Sequence, residues 1–353
     1  MPSFSRRFSS LLLGALCAGS LAVSLSAAAQ LPQALPGYDR FDVQATHRAW
    51  PVQGSIWYPA ANRTYRGMIG DNIVFKGTAV QMGPRIKAGR HPLIVLSHGS
   101  GGNMDGLGWL SSALVEVGYM VLAVNHPGST SGDSSPRRSV RLGQRVKDLS
   151  AALDQVLADP YFGQHVDRTR IVSLGFSLGG ATALQSVGLR FDPVLIKAFC
   201  DENPDRVGCD FYRKGGVDFS KVDPEQLEGD FKDPRFAATV SVDPGFTVGL
   251  DPESLKKVTA PVLLISLGFQ NDNWKAVDVT EEGSGLAHRL PKAKFVRIAP
   301  ANHFSFLAEC KPAGKAILAE EGEDPICDDP EGGERGLAHQ QTINAVLGFL
   351  DQL

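Results

Sequence analysis

Short apolar runs alternate with longer amphipathic stretches along most of the chain. Pro92-Leu93-Ile94-Val95-Leu96-Ser97, Met120-Val121-Leu122-Ala123-Val124 and Val262-Leu263-Leu264-Ile265-Ser266 are continuous rather than alternating. Runs of this kind predict strands buried on both faces, as in a parallel sheet. Ala237 to Asp243 and Lys294-Phe295-Val296-Arg297-Ile298 predict two more strands. Helical spacing appears from about Leu107 to Val117, from Arg138 to Ala158 (Val146, Leu149, Leu153, Val156) and from about Ala338 to Leu350 (Ile343, Val346, Leu350). Asp251-Pro252-Glu253 reads as a helix start, with an aspartate cap and proline in the first turn. Strands alternating with helices predict a doubly wound, mostly parallel α/β sheet.

Two departures from that rhythm matter. Asp42-Val43-Gln44-Ala45-Thr46 alternates and Gly54-Ser55-Ile56-Trp57-Tyr58-Pro59 ends in proline, which predicts antiparallel strands at the sheet's edge. The glycine-rich residues 60–90 read as a surface excursion with one short strand, Asn72-Ile73-Val74-Phe75. Between about 191 and 235 aspartate, glycine and proline break the pattern. That segment is expected to be an insertion that forms a cap or lid.

Ile171-Val172-Ser173-Leu174 runs into Gly175-Phe176-Ser177-Leu178-Gly179-Gly180 and then into a helix former, Ala181-Thr182-Ala183-Leu184. Strand, Gly-x-Ser-x-Gly and helix together are the pattern of a nucleophile elbow, with Ser177 at the apex. The flanking glycines relieve crowding across a strained turn. A serine hydroxyl needs a base, and the base needs an acid to hold its tautomer. Of the histidines beyond Ser177, only His303 follows a strand directly, in Pro300-Ala301-Asn302-His303; His288 and His339 fall in helices and read as solvated. The acid is Asp243, at a strand end before Pro244-Gly245, or alternatively Asp272, in the loop after the next strand. The oxyanion donors are expected to be the backbone N–H groups of Leu178 and of Ser100, in the glycine-rich turn His98-Gly99-Ser100-Gly101-Gly102. His98 is expected to orient that turn or to serve packing alone, and His126 to be a solvated or a core residue rather than to line the pocket.

Length, composition and charge narrow this picture. The chain has 353 residues, 43% hydrophobic, with a net charge of -3. That suits one large domain and gives no argument for a nucleic-acid partner. Arg6-Arg7, an apolar run from Leu11 to about Leu25 and Ala27-Ala28-Ala29 predict a signal peptide over 1–29 and a mature domain over 30–353. Export to the periplasm or beyond follows, with no transmembrane segment after cleavage. Four cysteines remain, and the shortest loops pair Cys200 with Cys209 and Cys310 with Cys327. No cluster of His, Cys and Asp has metal-ligand spacing, so neither metal nor cofactor is expected.

Leu96-Ser97-His98-Gly99, Asn125-His126-Pro127-Gly128, the Gly175–Gly180 elbow and Asn302-His303-Phe304-Ser305-Phe306-Leu307 span most of the mature chain. In them the sequence resembles α/β hydrolases like platelet-activating-factor acetylhydrolase and the bacterial proteins called predicted dienelactone hydrolases. The resemblance implies the α/β-hydrolase fold and esterase activity on short-chain, oxidised or lipid-like acyl esters. It also implies Asp243 as the acid and Ser100 as the oxyanion donor. Two features depart from it. Dienelactone hydrolases use a cysteine nucleophile where this chain has Ser177, and Phe176 stands where histidine is common. The expectation is therefore a serine ester hydrolase acting on a small-molecule or lipid ester. The alternatives are a peptidase or amidase with the same residues and a non-catalytic binding protein on the same fold.

Overall fold

The computed structural model describes residues 34–269 and 274–353. The expected signal peptide lies outside them, and so does Asp272. Residues 34–353 form one compact unit. In chain order the strands are β1 (Gly37–Val43), β2 (Val52–Tyr58), β3 (Arg66–Ile69), β4 (Thr78–Met82), β5 (His91–Ser97) and β6 (Met120–Val124). Then come β7 (Ser129–Thr130), β8 (Asp133–Ser134), β9 (Val166–Phe176), β10 (Ala238–Val242), β11 (Val262–Leu267) and β12 (Ala293–Ile298). Helices of eight or more residues are α1 (Gly108–Glu116), α2 (Leu142–Ala158), α3 (Leu178–Ser186), α4 (Pro193–Glu202), α5 (Val207–Lys214), α6 (Gly314–Glu321) and α7 (Arg335–Leu350).

Ten strands form one sheet in the order β12-β11-β10-β9-β5-β6-β2-β1-β4-β3, and β7 and β8 form a separate ribbon. The run from β6 to β12 is parallel throughout. Every residue of β5, β6, β10 and β11 is buried, as expected for strands covered on both faces. Leu93 and Val95 belong to one core with Leu149 and Leu153 of α2 and Leu184 of α3. Ile94 and Leu96 belong to the other, with Leu110 and Leu114 of α1 and Val346 of α7. Each such side chain stabilises the fold by about 1.5–3 kcal/mol relative to exposure. Parallel strands with covered faces leave the carboxyl ends of β5, β9, β10, β11 and β12 on one edge, and the loops there carry the candidate site.

β1 and β2 are antiparallel, as expected, and β2 joins the parallel run through β6. The excursion over 60–90 extends the sheet further. β4 pairs with β1 and β3 lies outermost. The expected strand Asn72–Phe75 is instead a turn, because the Asn72 side chain accepts from the N–H groups of Val74 and Phe75 at 2.8 and 2.7 Å. The expected insertion carries α4, capped by Asp192 with Pro193 in its first turn, and α5. Cys200 of α4 is bonded to Cys209 of α5, and Cys310 to Cys327 across α6, with Cα separations of 5.2 and 5.9 Å. Among the described residues, no helix is long and apolar enough to cross a membrane.

Candidate active site

β9 ends at Phe176, and Ser177 turns the chain into α3 with φ 57° and ψ -119°. An L residue pays for that conformation in strain, so the surroundings must enforce it. They do so by close packing. A Cβ on Gly175 would lie 1.9 Å from the Gly179 carbonyl oxygen, and one on Gly179 would lie 2.0 Å from the Ser97 carbonyl oxygen. Only glycine fits either position, which is the physical content of Gly-x-Ser-x-Gly here.

His303 opens a 3₁₀ turn after β12, and Asn302 fixes that turn. The Asn302 side-chain oxygen Oδ1 accepts from Phe304 N and Ser305 N at 3.0 and 3.1 Å, while Ser305 Oγ accepts from Asn302 N at 3.1 Å. His303 Nε2 then lies 3.1 Å from Ser177 Oγ. Its Nδ1 lies 3.0 Å from Asp243 Oδ2, and Asp243 Oδ1 accepts from the Leu267 N–H at 2.9 Å. A carboxylate only accepts, so Nδ1 carries the proton and the Nε2 lone pair faces the serine hydroxyl. Asp243 is fully buried. Burial pushes its carboxyl up, while the His303 and Leu267 hydrogen bonds pull it down.

Leu178 opens α3, so its N–H is among those left free at a helix N-terminus. Ser100 lies at the cleft with Leu178. Its peptide is oriented from beneath. The Gly99 carbonyl oxygen accepts from His98 Nδ1 at 2.7 Å and from Gly102 N at 3.2 Å. In a trans peptide the Ser100 N–H points the opposite way. A Cβ on Gly99 would sit 3.2 Å from Ser177 Cβ, so this turn packs directly on the elbow.

A buried polar network under the turn went unread in the sequence. Arg145, 2% exposed, donates to Ser97 Oγ at 3.1 Å, to Thr182 Oγ1 at 2.9 Å and to the His98 carbonyl. Ser97 Oγ also meets His126 Nε2 at 2.9 Å, and His126 Nδ1 donates to Asp148 Oδ2 at 2.9 Å. The His126 N–H donates to His98 Nε2 at 3.1 Å, which leaves the His98 proton on Nδ1 for Gly99. Arg145 and Asp148 stand on the apolar stripe of α2 with Leu142 and Leu149. Two charges on a buried face were the available signal. His126 is a core residue, one of the two readings left open for it, and is fully buried. His339 departs from its reading as solvated. It is buried, stacked on Trp109 at 3.8 Å and bonded to the Leu307 carbonyl at 2.9 Å.

These histidines make a pH prediction. Burial, the largest cause, holds His98 well below its usual range, His126 at about 3 and His339 at about 4. The unfolded chain therefore binds protons that the folded chain refuses, so stability is full above about pH 6.5 and falls as pH falls. Between roughly pH 7.5 and 5.5 His126 and His339 each contribute on the order of 1 kcal/mol to the loss, and His98 acts in the same direction. Denaturant titrations at the two pH values check this; equal unfolding free energies would refute it.

A parallel sheet with a serine elbow, a histidine after the last strand and an acid after the strand between them defines an α/β hydrolase. Residues 94–313 match the Alpha/beta hydrolase family, and the chain belongs to it. A comparison with curated proteins finds no match. Among solved structures the chain is similar to a ferulic acid esterase from Streptomyces cinnamoneus, at 20% identity over 92% of both chains and a TM-score of 0.55. It is also similar to a dienelactone hydrolase from Anabaena variabilis, at 16% identity over 82% of this chain and 95% of that one, with a TM-score of 0.43. A Pyrococcus horikoshii acylaminoacyl peptidase is 14% identical over 76% of this chain and 38% of its own, with a TM-score of 0.44. At these identities the likeness speaks of fold alone.

Proposed function

We propose that the protein is an exported serine ester hydrolase of the acetylhydrolase-like kind, acting on carboxylic esters through an acyl-enzyme. Ser177 attacks the ester carbonyl while His303 Nε2 takes its proton. Asp243, the acid in this reading, holds His303 in the required tautomer and stabilises the imidazolium that forms. The N–H groups of Ser100 and Leu178 receive the developing oxyanion. His303 passes the proton to the leaving alcohol, and a water attacks the acyl-serine by the same route in reverse. The observation that carries the reading is the continuous pair of contacts, 3.1 and 3.0 Å, linking Ser177, His303 and Asp243. Two local disulfides support an oxidising compartment.

The test is covalent. A fluorophosphonate probe is expected to form one adduct, on Ser177, and Ser177→Ala should abolish it. An unlabelled wild type, or equal labelling of the variant, overturns the proposal. Turnover of a p-nitroanilide in preference to the matching p-nitrophenyl ester would replace it with a peptidase.

A further inference from the structure

The cleft over Ser177 has a volume of about 610 Å³, and its chemistry is lopsided. Two aromatic groups line it. Trp274 lies on the His303 ring at 4.4 Å and meets Phe304 edge-on at 5.0 Å. Tyr212 of α5 stacks on Phe246 at 5.4 Å, with Phe211 edge-on to it at 5.1 Å. Phe211 remains 38% exposed although it faces the cleft, so part of an aromatic surface stands without a protein partner. Ring faces and edges of this kind accept a further ring in offset or edge-to-face geometry.

The charges are one-sided. Among the described lining residues there is no lysine or arginine, and the acids are Glu323 and Asp324. Both are exposed at the end of α6, and their position is set by the backbone. Gly322 adopts φ 70°, and the Glu323 N–H donates to the Leu318 carbonyl at 3.0 Å, which stops the helix there. The Cys310–Cys327 bond closes the same segment. Two carboxylates held at a cleft with no lysine or arginine among its described lining residues give a negative potential that turns anions away.

We propose that the site takes uncharged, ring-bearing esters and discriminates against esters that carry a carboxylate or phosphate. The inference rests on the ester-hydrolase reading and narrows it: an acyl chain suits the cleft when it ends in an aryl group, and an anionic headgroup does not. Glu323 and Asp324 set specificity through charge and take no part in bond making.

Three substrates test this: methyl 3-phenylpropanoate, its para-carboxylate analogue and methyl butanoate. In wild type at low salt, kcat/KM for the neutral aryl ester should exceed that for each of the others by about tenfold, the span expected of electrostatic steering and of one buried apolar group. Glu323→Gln combined with Asp324→Asn should shrink the neutral-to-anionic ratio to about threefold or less. Raising salt to roughly 0.3 M should shrink it in wild type, because exposed charges are screened, and should do little in the double variant. A wild-type ratio near one, a ratio unmoved by the double substitution, or a preference for methyl butanoate overturns the inference. Fluorophosphonate labelling run alongside separates the failures. A labelled enzyme without discrimination refutes this inference alone, whereas an unlabelled one refutes the esterase reading beneath it.

Discussion

Asp243→Asn is expected to lower kcat by roughly 10⁴, the loss known for the corresponding acid of a serine triad. The geometry explains why so small a change should cost so much. Asp243 accepts two hydrogen bonds, one on each oxygen, from His303 Nδ1–H and from the Leu267 N–H. Asparagine has one oxygen. If that oxygen faces Leu267, the amide donates to His303 Nδ1 and drives the ring proton to Nε2. The nitrogen 3.1 Å from Ser177 Oγ then donates where it must accept. If the oxygen faces His303 instead, two N–H donors meet at Leu267 in a fully buried position, and the loss appears as destabilisation. Steady-state turnover of an activated ester measures the first effect, and thermal unfolding of the same variant detects the second. Asp272→Asn should change kcat by less than about tenfold. The reverse pattern would move the acid to Asp272.

The need to weigh two aspartates shows what the sequence could carry. Both follow strands of one parallel sheet, so local pattern presents both at the same edge. Strand order is what bears on the choice, because β10 lies directly beside β9, the strand that carries Ser177. Neighbourhood in a sheet is a property of the whole chain, not of a window. The elbow was legible because its constraint is local: Gly175 crowds Gly179 four residues later. The buried strands were legible because covering both faces leaves no room for polar alternation. The short disulfide pairings were legible because nearby cysteines close small loops.

The misreadings are also physical. Asn72 looked like the first residue of a strand, but its side chain bonds its own backbone two and three residues on. β4 owes its place to a parallel pairing with β1, about forty residues earlier in the chain. His339 sits on a helix of mixed character, and its burial depends on Trp109 of α1, more than two hundred residues away. Arg145 and Asp148 were different, because their signal was present. Charged residues at apolar positions of an amphipathic helix require partners, and asking for them would have pointed to the residues behind the glycine-rich turn at His98–Gly102.

The same network supports the largest stability effect we expect. Asp148→Ala should destabilise the fold by about 3–5 kcal/mol, because it removes one partner of a buried ionic cluster and leaves the others uncompensated. Asp148 is fully buried and receives Arg48 Nε and Nη2 at 2.8 and 2.7 Å, His47 Nε2 at 2.8 Å and His126 Nδ1 at 2.9 Å. Burial alone would push its carboxyl up. The hydrogen bonds from His126, His47 and Arg48 outweigh that and hold it well below the usual carboxylate range. With the folded value depressed, the stabilisation is full above the ordinary carboxyl pKa of about 3.9 and is lost as pH falls below it. The gap between wild type and Asp148→Ala should therefore be wide at neutral pH and close in acid. At neutral pH it corresponds to a fall in Tm of roughly 4–8 °C, at about 2.1 cal/mol/K of unfolding entropy per residue in a domain of this size. Asp154→Ala is the control. Asp154 also pairs with an arginine, Arg235, but its side chain is 71% exposed, and its removal should cost no more than about 0.5 kcal/mol. Calorimetry of the three proteins decides the matter: an Asp148→Ala variant within about 1 kcal/mol of wild type would mean that water reaches Arg48 and His126 as readily as it reaches Arg235.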